Sequence, residues 1–309
     1  LYADQDAAQG EFILYCTGGT GSVYLDVVSL IPDNAYEGKF RVDMVDMLKD
    51  MNPTFLRFPG GCYVEGATMA DAFRWKNTLG DKEDRAGHAS LWNYRVTDNL
   101  GYYEFLQLSE LLDCEPLYVC GVGIAHGDNE DWQYWIQDVL DAIEFANGDV
   151  TTEWGAVRAQ MGHPEPFNMK YVEVGNEANF QAPLYIERYQ DFYDAIKEKY
   201  PYMNIIANMD IEGRDIEIVD EHYYSYGNPN LFVDNAYKYD SYSDKYEVYV
   251  GEYGTNTDHG LQNLKAALDE AVFMTGMERN SDIVTMTSYS ELFANLNHQN
   301  WNANAAFFD

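Results

Sequence analysis

The chain has 309 residues, 46% of them apolar, with a formal net charge of −33 and a pI near 4.2. It can bury a full core and is not a disordered segment. Its negative field would repel nucleic acid, anionic membranes and acidic polymers such as pectate, so a neutral ligand fits better.

In chain order, residues 23–31 read as a strand closed by Pro32, inside an accessory β segment placed at 1–38. Val42, Val45, Met47 and Leu48 recur at helical spacing and predict a helix over 41–51, ended by Pro53. Thr54-Phe-Leu-Arg-Phe58 predicts a strand stopped by Pro59-Gly60-Gly61. A helix over 101–113 carries Phe105, Leu108, Leu111 and Leu112, and a strand follows at 116–120. Ile136, Val139, Leu140 and Ile143 line one face of a helix over 132–146, before a strand at 171–174. A helix over 188–199 precedes Pro201; strands at 204–208, 216–222 and 247–251, a helix over 261–279 and a strand at 283–289 complete the series.

Strands alternating with helices of this length predict parallel βαβ units. The expected fold class is α/β, a (β/α)8 TIM barrel over 39–309, with seven strands counted between Phe55 and Tyr289. No confident first strand stands before residue 40. No run of 18 apolar residues offers a membrane span. The start at Leu1 carries no secretion signal pattern and reads as processing or truncation. The compartment stays open, with extracellular or periplasmic preferred over cytoplasmic.

Two segments carry the chemistry. Tyr171-Val-Glu-Val-Gly-Asn-Glu177 and Val248-Tyr-Val-Gly-Glu252 each read as a buried strand ending in a carboxylate. Two acids at strand carboxyl ends of a barrel suit glycoside cleavage, which needs a proton donor and a nucleophile. Glu177 is the candidate acid/base, its pKa expected to be raised by apolar walls; Asn176 beside it can bind a substrate hydroxyl. Glu252 is the candidate nucleophile. Glu173 competes with Glu177 but lies further from the strand end. Arg57, inside an apolar strand, needs an acidic partner, and a catalytic carboxylate is the economical one. His222 and Tyr224 share one direction at another strand end, where Tyr224 can hydrogen-bond Glu252. Cys62 follows two glycines, so its backbone can approach a ligand. His126, His259 and His298 are weaker candidates. No metal-ligand cluster is legible, and neither a catalytic metal nor a cofactor is expected. Thr17-Gly-Gly-Thr-Gly-Ser22 leads into a strand instead of opening a helix and is not a nucleotide loop. Tyr (26) and Trp (6) are numerous, which suits stacking on sugar rings, although most must be core. Cys16, Cys62, Cys114 and Cys120 form no disulfide framework, and a Cys114–Cys120 bridge stays open.

With these motifs on view, the chain resembles glycoside hydrolase family 51, the α-L-arabinofuranosidases. The likeness runs through Arg57-Phe-Pro-Gly-Gly-Cys62, Ile143-Glu-Phe-Ala-Asn-Gly148, Val174-Gly-Asn-Glu177, His222-Tyr-Tyr224 and Gly251-Glu252-Tyr253. It implies a retaining double displacement with Glu177 as acid/base and Glu252 as nucleophile. Arg57, Cys62, Asn176, His222 and Tyr224 then line the furanose subsite, and Trp301 joins them as a substrate-side candidate. The implied partner is an arabinofuranose-containing poly- or oligosaccharide, and the resemblance also suggests a homo-oligomer. The family's first barrel strand and its C-terminal sandwich are expected to be absent or incomplete here. The rival readings are a retaining endoglucanase or β-xylosidase, or a catalytically inactive carbohydrate-binding barrel.

Overall fold

The computed structural model describes residues 12–25, 28–214, 216–242, 245–256, 263–297, 299–301 and 304–308. The chain divides into two units, Leu1–Leu30 and Ile31–Asp309. In the first, residues 12–25 and 28–30 hold no strand and their side chains are exposed. The strand expected over 23–31 is therefore not formed at its described positions. Apolar alternation becomes a strand only against a partner, and none lies among the described residues of that unit.

The second unit is built on seven parallel strands in the order β1 (Phe55–Phe58), β4 (Glu115–Cys120), β5 (Tyr171–Val174), β6 (Asn204–Ala207), β7 (Ile218–Tyr224), β8 (Glu247–Gly254) and β9 (Val284–Thr287). All seven expected strands are present. Between β1 and β4 lie a short antiparallel pair, β2 (His88–Ala89) and β3 (Arg95–Val96), and helix α2 (Tyr102–Leu111). The other helices are α1 (Val42–Met51) before β1, α3 (Gln133–Asn147) and α4 (Glu153–Gln160) between β4 and β5, and α5 (Ala182–Lys199) between β5 and β6. Then come α6 (Leu231–Asp234) between β7 and β8, and α7 (Leu264–Arg279) between β8 and β9. A parallel pair, β10 (Glu291–Asn295) and β11 (Asn304–Phe308), follows β9.

Strand alternation separates two apolar layers. Tyr118, Cys120, Val172, Val174, Ile205 and Ala207 face the helices and pack with Trp135, Val139, Ile143, Tyr185 and Phe192. Leu117, Val119, Ile206, Ile218 and Tyr249 form the inner layer. The sheet is strongly curled. β1 and β8 stand five strand spacings apart, which would separate them by roughly 24 Å in a flat sheet. Arg57 of β1 nevertheless lies 2.9 Å from Glu252 of β8. This curl makes the sheet the wall of a (β/α)8-type barrel. Among the described residues, β1 and β9 remain its unpaired edges. Cys114 and Cys120 are free thiols, as are Cys16 and Cys62, so no Cys114–Cys120 bridge forms.

Candidate active site

Arg57 organises the inner face at the carboxyl end of the strands. Its side chain is 8% exposed. Nε and Nη2 donate to the two oxygens of Glu173 at 2.7 and 2.9 Å, Nη1 donates to Glu252 Oε1 at 2.9 Å, and Nη2 also donates to Asn176 Oδ1 at 2.8 Å. Asp220 Oδ2 lies 3.8 Å away. Glu173 is fully buried, and burial pushes its pKa up to about 8 against the pull of Arg57. It is an anchor for the guanidinium, held away from the opening, so it does not replace Glu177.

β5 stops at Val174 because Gly175 turns the chain at φ +81°. A side chain there would be strained and would meet Asn208. The turn swings Asn176 inward, 2% exposed, and carries Glu177 to the rim. Glu177 itself holds φ 44° and ψ 21°, a left-handed conformation that costs a non-glycine residue about 1–2 kcal/mol. The neighbouring structure enforces it: Asn208 Oδ1 accepts from the N–H of Ala178 at 3.1 Å.

His222 sits between two carboxylates, donating from Nδ1 to Glu177 Oε1 and from Nε2 to Asp220 Oδ2, each at 2.7 Å. Burial alone would depress its pKa, but the charges of Asp220 and Glu252 and these hydrogen bonds hold it well above the ordinary value. The same hydrogen bond from His222 holds Glu177 below the usual carboxylate range. This reverses the expectation of a raised pKa. Glu177 is half-exposed instead of walled by apolar groups, and an imidazolium faces it. The proton belongs to the Glu177–His222 pair and rests on the imidazole.

The pair makes stability pH-dependent with a defined sign. His222, with its pKa raised, contributes stability that is complete below its ordinary 6.5 and is lost as pH rises. Glu177, with its pKa depressed, contributes stability that is complete above its ordinary 4.5 and is lost as pH falls. The melting temperature of His222→Gln should therefore fall furthest below wild type between pH 4.5 and 6.5, with the gap narrowing above that window. Thermal melts across pH check this, and a gap that widens with rising pH contradicts it.

Glu252 is held at both oxygens. Arg57 donates to Oε1, and the Tyr224 hydroxyl donates to Oε2 in a short hydrogen bond. Tyr224 Oη also lies 2.8 Å from Ser290 Oγ. Trp301 stands edge-on to Tyr224 with ring centroids 5.5 Å apart, and its indole N–H donates to Ser290 Oγ at 3.4 Å. Oxygens of Glu177 and Glu252 and a nitrogen of His222 all lie within 4.8 Å of one another. Cys62 Sγ is 4.0 Å from Glu177 Oε2. The structure thus gathers Arg57, Cys62, Asn176, Glu177, His222, Tyr224, Glu252 and Trp301 around one opening. His126 reaches the same opening, whereas His259 and His298 lie outside the described residues. An open cavity of about 440 Å³ lined by His126, Glu177, Asn179 and Phe180 adjoins it.

The sequence profile of the alpha-L-arabinofuranosidase 1 domain matches residues 47–244, and that of the alpha-L-arabinofuranosidase C-terminal domain matches residues 245–307. The chain belongs to the α-L-arabinofuranosidase family, glycoside hydrolase family 51. It is 42% identical to Alpha-L-arabinofuranosidase 2 of Arabidopsis thaliana over 97% of its length and 46% of the relative's. It is 38% identical to the Extracellular exo-alpha-L-arabinofuranosidase of Streptomyces chartreusis over 92% of its length and 38% of the relative's. Among solved structures, the arabinose-bound MgGH51 α-L-arabinofuranosidase superposes with a TM-score of 0.80 at 34% identity, covering 89% of this chain and 48% of that one. The chain spans about half the length, or less, of these three relatives. The junction between the two profiles falls immediately before β8, so the seven-stranded sheet draws on both.

Three polar residues of this family member's site escaped the sequence reading. Asp220 lies two residues before His222 on the same strand, so alternation places both on one side. The N–H of Gly251 donates to Asp220 Oδ1 at 2.9 Å, and any side chain at Gly251 would collide with that carboxylate. Ser290 and Glu65 carried no local signal, because their partners Tyr224 and Asn176 are more than sixty residues away in sequence.

Proposed function

We propose that this chain hydrolyses terminal non-reducing α-L-arabinofuranosyl groups from arabinan, arabinoxylan or arabino-oligosaccharides by a retaining double displacement. The carrying observation is the closeness of Glu177 and Glu252, with oxygens inside 4.8 Å of one another. A retaining enzyme places its carboxyl groups about 5–5.5 Å apart, whereas an inverting one leaves room for water at roughly 6.5–9.5 Å. Glu252 attacks the anomeric carbon, its charge oriented by Arg57 and Tyr224. Glu177 protonates the departing oxygen. A bound neutral saccharide expels water from around Glu177 and raises the cost of its charge, which moves the proton from His222 onto the carboxyl group. Glu177 then takes a proton from the water that releases arabinose.

Asn176, Cys62 and Trp301 are assigned to the sugar, and the barrel to residues 39–309 with 1–38 as an accessory segment. Among the described residues no helix is long and apolar enough to cross a membrane. The Streptomyces relative's designation as extracellular supports work outside the cytoplasm.

A panel of aryl glycosides tests the specificity. Release from the α-L-arabinofuranoside should exceed release from β-xyloside and β-glucoside; a preference for either of the latter overturns it. Glu177→Ala tests the acid. Its kcat/KM should fall by about 10²–10⁴-fold on an arabino-oligosaccharide and far less on an aryl substrate whose leaving group departs without a proton. Equal losses on both would remove Glu177 from the acid role.

A further inference from the structure

We propose that Cys62, Glu65 and His126 form a binding site for a thiophilic divalent ion such as Zn²⁺, and that the bound ion inhibits the enzyme by occupying the space beside Glu177. The sulfur, a carboxylate oxygen and an imidazole nitrogen of these residues all lie within 4.8 Å of one another. His126 Nε2 and Glu65 Oε1 are 3.3 Å apart. Two ligands bonded at about 2.0–2.2 Å to a tetrahedral zinc stand roughly 3.3–3.5 Å from each other, so this edge already has the spacing of a coordination sphere. A thiolate, an imidazole and a carboxylate are all established zinc ligands.

The donors are also held in place. Cys62 lies in the helical turn Gly61–Tyr63 that follows β1. Glu65 is 5% exposed, and Asn176 Nδ2 donates to both its oxygens at 3.4 Å. The His126 ring stacks on Phe180, with centroids 4.9 Å apart and planes 15° apart. The cavity lined by His126, Glu177, Asn179 and Phe180 supplies the entry path. On binding, the Cys62 thiol gives up its proton to solvent and the sulfur bonds the ion. Because Cys62 Sγ lies 4.0 Å from Glu177 Oε2, the ion sits against the carboxylate that must exchange a proton with the substrate. The three protein donors leave one position open towards that side.

Calorimetric titration of the whole chain with Zn²⁺, and absorption spectroscopy with Co²⁺ as a spectroscopic substitute, test the site without requiring turnover. A result against arabinofuranosidase activity would therefore leave this test intact. The surface charge of −33 gathers divalent ions weakly, so the variants Cys62→Ser and His126→Ala define the background. Wild type should show one tight Zn²⁺ per chain, weakened about tenfold or more in either variant, and its Co²⁺ complex should show a thiolate-to-cobalt charge-transfer band missing from Cys62→Ser. Circular dichroism confirms that each variant is folded. If Cys62→Ser fails to fold, the half-exposed His126 still allows the comparison through His126→Ala. Zn²⁺ binding equal in wild type and His126→Ala, or a wild-type Co²⁺ spectrum without the thiolate band, overturns the proposal.

Discussion

Glu252→Ala should lower turnover of an aryl α-L-arabinofuranoside by roughly 10⁴-fold or more, the scale of losing a covalent nucleophile. The side chain is not a surface glutamate that an alanine could replace. It is 15% exposed and fastened at Oε1 by Arg57 and at Oε2 by Tyr224. Those two donors fix its direction at the opening. The alanine variant leaves a small gap where the carboxylate stood, which an added azide ion fills. Azide should restore turnover and yield an arabinosyl azide of inverted configuration, because one displacement replaces two. Kinetics with and without azide, followed by NMR of the azide product, check this. A variant rate near wild type would remove Glu252 from the reaction.

Arg57→Met should destabilise the fold by about 3–5 kcal/mol, the usual cost of leaving buried charges unpaired, and abolish activity together with it. Arg57 donates two hydrogen bonds to Glu173, pairs with Glu252 and faces Asp220. Without it, Glu252 and Asp220 lose a cation, and the pKa of fully buried Glu173, about 8 beside Arg57, rises further. A carboxyl group whose folded pKa is pushed up destabilises most above that pKa and not at all below its unfolded value. Wild type carries that cost itself up to about pH 8, so the share of the loss due to Glu173 should grow as pH rises above that value. Urea denaturation at about pH 7 and pH 9 measures it. Arg57→Lys should recover part of the stability but not the activity, because an ammonium cannot span Glu173 and Glu252 with a planar fork. A loss below 1 kcal/mol at pH 7 would show that the network does not depend on Arg57.

Much of this arrangement could be read from the chain because barrel strands are buried on both faces and announce themselves as apolar runs. Phe55–Phe58 and Tyr171–Val174 show this, and each run also carries the one charged residue that could not be ordinary core, Arg57 and Glu173. Short or irregular elements were not legible. α4, α6 and the β10–β11 pair are too brief to show a period, and among the described residues β10 and β11 form strand pairing only with each other. β7 runs to Tyr224, two residues past the expected end, so His222 and Tyr224 point inward from the strand itself. The protonation of Glu177 was misread for a related reason. The strand-end position was visible, but its contact with His222, 45 residues later, exists only once the sheet has curled.

Proton NMR of the sugar released in the first moments of aryl α-L-arabinofuranoside hydrolysis tests the pairing of Glu177 and Glu252 most directly. The arrangement predicts that the α-anomer appears first and the β-anomer only later, by slow mutarotation. Initial formation of the β-anomer would mean a single displacement by water and would contradict a covalent role for Glu252.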